Sequence, residues 1–175
     1  TCALPILLLP TKYIFKIVMD DEIRVDIFSQ FQGETIKRTL ETSGGDEIIE
    51  YKKGEAFGKG GFSTCYKCIN KNIKEIFILK EMEIERKQIF LDEMEIHRNL
   101  EHPNIVKLID GFEYEEKFYL LLEYCENKDL SYILKKRKKL KEIEVIYYIT
   151  NLIKAIKYLH KKRIVHRDIK TANIF

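Results

Sequence analysis

A chain of 175 residues, 45% hydrophobic and 34% charged, is sized for one ordinary soluble domain or a piece of a larger one. Its formal charge of +3 is too small a surplus to argue for a nucleic-acid partner. The longest early apolar run, Leu4 to Leu9, is broken by Pro5 and Pro10 and falls far short of the ~20 residues that span a bilayer, so no membrane span is expected.

The same run lacks a basic flank and a small-residue cleavage site, which argues against a secretory signal. Four cysteines without a dense framework suit a reducing compartment. The first residue is Thr, and Met19 is a candidate start. Residues 1–49 alternate in places, as in YIFKIV, but carry no repeat and no motif. They form an N-terminal extension without an assigned function, and Ser43–Asp46 (SGGD) is expected to be a linker.

After Ile48 come short runs of Ile, Phe, Tyr and Val punctuated by Gly and Asn, the pattern of an antiparallel meander. EYKKGEAF and CYKCI make two hairpin arms around GKGGFST, and EIFILKEMEI a third strand. From Lys87 to Leu100 helical spacing takes over, with Ile89, Ile96 and Leu100 on one arc and Phe90 at its shoulder. NIVKLIDGF and KFYLLLEYC read as two further strands. The remainder is helical, with Val145, Ile149, Leu152, Ile156 and Leu159 as one apolar stripe. Lys161, Lys162 and Arg163 close it with charge suited to a helix C-terminus.

Several residues fit this frame poorly unless they do chemistry. The turn from Gly58 through Lys59, Gly60, Gly61 and Phe62 to Ser63 is an ordinary hairpin turn or a glycine-rich phosphate cover, because glycine lets backbone N–H groups approach phosphate oxygens. It is not a P-loop, and Ser63 breaks the dinucleotide fingerprint. Lys80 shares a strand face with Ile76, Ile78 and Met82. Glu93 lies on the apolar arc of the following helix. Either charge buried alone costs several kcal/mol, about the penalty of removing one ion from water. Pairing the two removes both penalties.

The closing HRDIKTANIF resembles the catalytic loop of eukaryotic protein kinases, His-Arg-Asp followed by x-Lys-x-x-Asn. The glycine turn, Lys80, Glu93 and the His102-Pro103-Asn104 loop follow with the family's spacing, and LLLEYC resembles its hinge. YKKGEAFGKGGFSTCYKC, HRNLEH, Tyr147-Tyr148, YLHKKRIVHRD and the final Asn-Ile-Phe are most similar to the polo-like group. The resemblance covers about residues 50 to 175. It implies an α+β, protein-kinase-like fold: a five-stranded antiparallel small lobe with hinge over 50–125, then the first helices of a helical large lobe over 126–175.

The resemblance also implies ATP and Mg2+ as cofactors and serine or threonine hydroxyls of proteins as substrates. Asp168 would take the hydroxyl proton, Lys170 would neutralise charge on the transferred phosphoryl group, and Asn173 would give its amide oxygen to magnesium. Lys80, held by Glu93, would grip the α- and β-phosphates under Gly58 to Ser63. Leu122, Glu123 and Cys125 fall at the adenine hinge, and Cys65 where most kinases place a valine above adenine. Phe57 and Ile78 are larger than the family's usual residues near adenine, so nucleotide affinity or inhibitor preference should be unusual.

His166 is implied to pack, and Arg167 to pair with a phosphorylated activation segment. His97, His102 and His160 read as structural or surface residues. Cys65 and Cys68, three apart on a strand, face opposite sides and do not suit one tetrahedral ion. Residues 135–139 (KKRKK), expected in an exposed loop between two helices, read as solvated charge rather than an import tag or an acidic-partner patch. The chain stops before the Asp-Phe-Gly segment that the resemblance implies. It is therefore expected to be a fragment that exposes the long helix's stripe and transfers phosphate poorly or not at all. The alternative is a catalytically incomplete kinase-like module that binds nucleotide or a partner. The expected address is intracellular, cytoplasm or nucleus, with centrosome or spindle added by the resemblance alone.

Overall fold

The computed structural model describes residues 30–61 and 63–175, with the Phe57 side chain left out. The candidate start Met19, the YIFKIV alternation and Phe62 lie outside the described residues. Two compact units divide the described chain, one built from 30–98 and 108–124, the other from 99–107 and 125–175.

Alternating apolar residues make the first unit a six-stranded antiparallel sheet. Its strands are β1 (Thr35–Thr42), β2 (Gly45–Lys59), β3 (Thr64–Asn70), β4 (Ile76–Glu83), β5 (Leu108–Tyr114) and β6 (Lys117–Glu123), in the order β1-β2-β3-β4-β6-β5. Five strands were expected; β1 is the sixth. The linker expected at Ser43–Asp46 is instead the turn of the β1–β2 hairpin, where Thr42 pairs with Gly45. Gly45 takes φ +117°, which L side chains rarely adopt. The Thr42 hydroxyl closes the turn by donating to the Gly45 carbonyl at 2.5 Å. The sheet curls until its end strands β1 and β5 meet, Arg38 pairing with Asp110 at 2.8 Å and lying over the Phe112 ring.

Strand alternation gives this sheet two cores. On one face Met82, Phe118 and Leu120 pack against Phe90 of α1 (Lys87–His97), with the Phe90 and Phe118 rings stacked at 4.7 Å. On the other face Ile36, Tyr51, Cys68, Leu79, Phe112, Tyr119 and Leu121 pack together. The α1 arc differs from expectation. Phe90, Glu93 and His97 are buried, Ile96 is 44% exposed, and Leu100 lies past the helix end in the other unit's core. Steps of three and four join 90, 93 and 97, so the ring stack and the Glu93 carboxylate set the helix's rotation, with Ile89 packed at the edge of that core and Ile96 turned out.

In the second unit α2 (Leu130–Arg137) and α3 (Glu142–Lys161) surround a core of Leu100, Ile105, Leu130, Leu152, Ala155, Leu159 and Ile174. Asp129 caps α2 by accepting from the Tyr132 N–H at 2.9 Å. Lys138, at φ 65°, ends it. Lys135, Lys136 and Arg137 therefore form the last turn of α2, not a loop, where cations suit the helix C-terminus. The second half of the α3 stripe faces the core as expected, Leu152, Ile156 and Leu159 joined by Ala155, while Val145 and Ile149 of its first half are exposed along with Ile146 and Ile153. Ala155, fully buried, lets the neighbouring residues approach closely and selects that seam.

Candidate active site

In the sheet unit, β-pairing sets the candidate residues side by side. Lys80 on β4 is opposite Cys65 on β3 and Leu120 on β6, and Ile78 is opposite Leu122. Cys65, Ile78, Lys80 and Leu122 thus share the face that α1 covers, while Glu123 pairs with Phe77 on the alternate register. The Lys80 Nζ donates to both carboxylate oxygens of Glu93, at 2.6 and 2.7 Å. Their side chains are 11% and 2% exposed, so removing either one would strand a buried charge at a cost of about 3–5 kcal/mol.

The glycine turn joins β2 to β3. Gly58 pairs with Cys65 and Lys59 with Thr64, after a register shift between Ala56 and Gly58. The Gly60 N–H donates to the Ser63 carbonyl at 2.8 Å. A Cβ at Gly61 would meet nothing within 4 Å, and one at Gly60 would meet nothing closer than 3.6 Å. Packing among the described residues does not require glycine at either position. Burial raises the Cys65 thiol, while Lys80 draws it down and Glu93 raises it again. Cys68 lies on the opposite face, fully buried, and burial pushes its thiol to about 12. No group of three or more His, Cys, Asp or Glu among the described residues is placed to hold a metal ion.

In the helical unit the closing loop is held at both ends. His166 is buried and accepts from the Asp168 N–H at 3.3 Å through Nδ1. Ile174 is buried in the core, and its carbonyl accepts from the Leu130 N–H at 2.7 Å. The polar residues between are drawn together. The Lys170 Nζ lies 2.8 Å from Asp168 Oδ2, and Asn173 Nδ2 donates to the Asp168 carbonyl at 2.8 Å and to Oδ2 at 3.0 Å. Hydrogen bonds from Lys170 first, then Asn173, hold the Asp168 carboxyl below the usual carboxylate range. Arg167 adopts φ 66°. Cys125 is half-buried in this unit.

A family model described as a protein kinase domain matches residues 51–175. The chain belongs to the protein kinase family. This kinase chain is 40% identical over 131 residues to the serine/threonine-protein kinase polo of Drosophila melanogaster, covering 71% of the chain and 23% of that protein. It is 43% identical over 133 residues to the cell cycle serine/threonine-protein kinase CDC5/MSD2 of Saccharomyces cerevisiae, covering 72% and 19%. A probable serine/threonine-protein kinase PLK of Dictyostelium discoideum is 38% identical over 146 residues, covering 80% and 15%. The chain thus spans a quarter or less of the length of these relatives. β1 and the start of β2 lie upstream of the kinase match yet belong to the same sheet. No helix among the described residues is long and apolar enough to cross a membrane.

One buried cluster escaped the sequence reading. Glu81 accepts from Lys53 at 2.5 Å, from Lys117 at 3.0 Å and from the Tyr119 hydroxyl at 3.3 Å. The signal was available: Glu81 alternates with Phe77 and Leu79 on an apolar face, as Lys80 does with Ile78 and Met82.

Proposed function

We propose that this chain carries part of an ATP-dependent serine/threonine kinase that moves the γ-phosphate of ATP to protein hydroxyls. The buried Lys80–Glu93 pair, on the same sheet face as Cys65, Ile78 and Leu122, is the observation that carries the reading. Lys80 grips the α- and β-phosphates, and Glu93 fixes where its ammonium points. Gly60 and Gly61, which packing among the described residues does not require as glycine, leave the backbone open to phosphate oxygens. Cys65, Ile78 and Leu122 bound the adenine, with Glu123 beside them at the end of β6, and the bulk of Ile78 narrows that space.

Asp168, ionised through Lys170 and Asn173, accepts the proton of the attacking serine or threonine hydroxyl and orients its oxygen, a contribution of about 10²–10⁴ in rate for a positioned base. Lys170 neutralises charge that grows on the phosphoryl oxygens. The donor chemistry fits magnesium, which takes few protein oxygens and keeps phosphate ligands. Asn173 would hold it through Oδ1, its Nδ2 being engaged by Asp168, and the ion when bound would offset phosphate charge.

The test uses the full-length protein. Lys80→Met should weaken ATP binding, while Asp168→Asn should leave binding within about twofold and lower transfer to a serine peptide by about 10²-fold or more. Transfer unchanged in Asp168→Asn would refute the reading. Nucleotide binding without any transfer in the parent would favour the other reading, a kinase-like binding module. The 175 residues by themselves are expected to transfer little, because the family's magnesium-binding Asp-Phe-Gly carboxylate is not among them.

A further inference from the structure

We propose that Gly111 is a positioning residue for nucleotide binding: by carrying no Cβ on β5, it lets α1 sit low enough on the sheet for Glu93 to hold Lys80. The inference rests on the ATP-binding reading of Lys80 given above.

Lys80, Leu120 and Gly111 form one row across β4, β6 and β5, since Lys80 pairs with Leu120 and Leu120 with Gly111. Helix α1 lies on that face, with Glu93 bonded to Lys80 at one end of the row. The next residue, Met94, stands over Gly111 at the other end. A Cβ on Gly111 would come within 2.6 Å of Met94 Sδ, 3.2 Å of Met94 Cγ and 3.2 Å of Leu120 Cδ2. Gly111 does not take a positive φ, so the backbone does not call for glycine; the helix above it does.

Relief within the side chains is limited. Both Sδ and Cγ of Met94 lie in the way, so turning the terminal methyl clears nothing, and Leu120 is fully buried. Met94 is partly buried, so a swing about its χ1 or χ2 would relieve the contact only by giving up its packing against that core; the response proposed is for α1 to lift at Met94. Because Glu93 is the adjacent residue, its carboxylate is drawn away from Lys80. Close-packed interiors resist even one added carbon, and here the added carbon acts as a wedge one residue from the ion pair.

The test uses the full-length protein and two readouts. Acetylation of Lys80 by acetic anhydride without nucleotide, followed by mass spectrometry, reports the pair; affinity for a fluorescent ATP analogue reports its use. Gly111→Ala should expose Lys80 to faster acetylation and weaken nucleotide binding about tenfold. Gly111→Ala combined with Met94→Ala should return both to the level of Met94→Ala alone. In a Glu93→Ala background, Gly111→Ala should change neither readout, although a stability loss there is expected of any overpacked core. Unchanged acetylation in Gly111→Ala, or an equal loss of affinity with and without Glu93, would overturn the proposal. A parent that binds no nucleotide while Gly111→Ala still speeds acetylation would refute the ATP-binding reading and leave the wedge standing.

Discussion

Strand β4 carries two buried ion pairs on adjacent residues, and they face opposite ways. Lys80 points to the α1 face and pairs with Glu93; Glu81 points to the other core and pairs with Lys53 and Lys117. The chemistry is alike, but the elements joined are not. Lys53, Glu81, Lys117 and Tyr119 all stand on strands of one sheet, whose backbone hydrogen bonds already fix their spacing. Lys53 also lies 4.1 Å over the Tyr66 ring. Lys80–Glu93 joins the sheet to a helix that no backbone ladder attaches. An ion pair inside one sheet is a fastener, whereas one between sheet and helix reports where the helix sits. Stability should depend on both, and nucleotide affinity mostly on the second.

The largest expected effect breaks the fastener. Glu81→Ala leaves Lys53 buried and, among the described residues, opposite no carboxylate but the more distant Glu34 at 3.4 Å, at a cost of about 3–5 kcal/mol. Chemical denaturation should show this, with nucleotide affinity unchanged under conditions where the variant is folded. Joint replacement Lys53→Met with Glu81→Leu should recover most of the loss, since apolar substitutes for a buried pair are often neutral. A drop in affinity as large as the drop in stability would erase the distinction between the two pairs. The same carboxylate predicts acid sensitivity. Burial raises its pKa, but bonds from Lys53 and Lys117 prevail and leave it below its ordinary 4.5. Its stabilisation is therefore complete above about pH 4.5 and fades as pH falls through the lower folded value. Glu81→Gln should flatten that acid limb of the stability profile.

The complementary change alters the helix position. Glu93→Gln keeps the shape and one acceptor but removes the charge, so it should cost less stability, about 1–3 kcal/mol, and weaken ATP binding about tenfold. Equilibrium binding measured beside thermal melting separates the two. A smaller effect is expected at the seam where β1 meets β5. Arg38 and Asp110 are both partly exposed, so Arg38→Ala should cost no more than about 1 kcal/mol, seen as a small shift in denaturation midpoint. A large loss would mean that the upstream strand carries more of the sheet's stability than its partly exposed contacts indicate.

Much of this was legible in the residues. Short runs of Ile, Phe, Tyr and Val between Gly- and Asn-bearing turns located β3, β4, β5 and β6, and the opposite misfits of Lys80 and Glu93 foretold their pairing because two lone buried charges are costlier than one pair. Asp168, Lys170 and Asn173 come together because a short turn bounded by buried His166 and Ile174 brings near neighbours into reach. The rest failed for identifiable reasons. SGGD has the same composition in a linker and in a hairpin turn, and only the pairing of Thr42 with Gly45 distinguishes them. Hydrophobicity favoured Ile96 over His97 on the inner face of α1, yet the carboxylate at 93 and the ring at 90 fixed the rotation. Helix α3 is apolar on several sides, so no single stripe is marked. Gly111 reads as an ordinary strand glycine until Met94 is seen above it.

The finest difference between the two faces is written in the cysteines of β3. Cys65 shares its face with Lys80 and is half-buried; Cys68 shares the Glu81 face and is fully buried. Thiolate is the reactive form, and burial pushes Cys68 to about 12, so it should resist iodoacetamide while the protein is folded. Cys65 is also raised by burial, but Lys80 across the strand pair opposes the shift, so labelling should be slow at neutral pH and quicken as pH rises. ATP seated against the Lys80 face would cover Cys65, and peptide mass mapping should then show it protected while Cys68 stays unlabelled either way. Equal labelling of Cys65 with and without nucleotide would place the ligand elsewhere. Labelling of both cysteines at one rate would show that the sheet opens as a whole, and the contrast between its faces would no longer hold in solution.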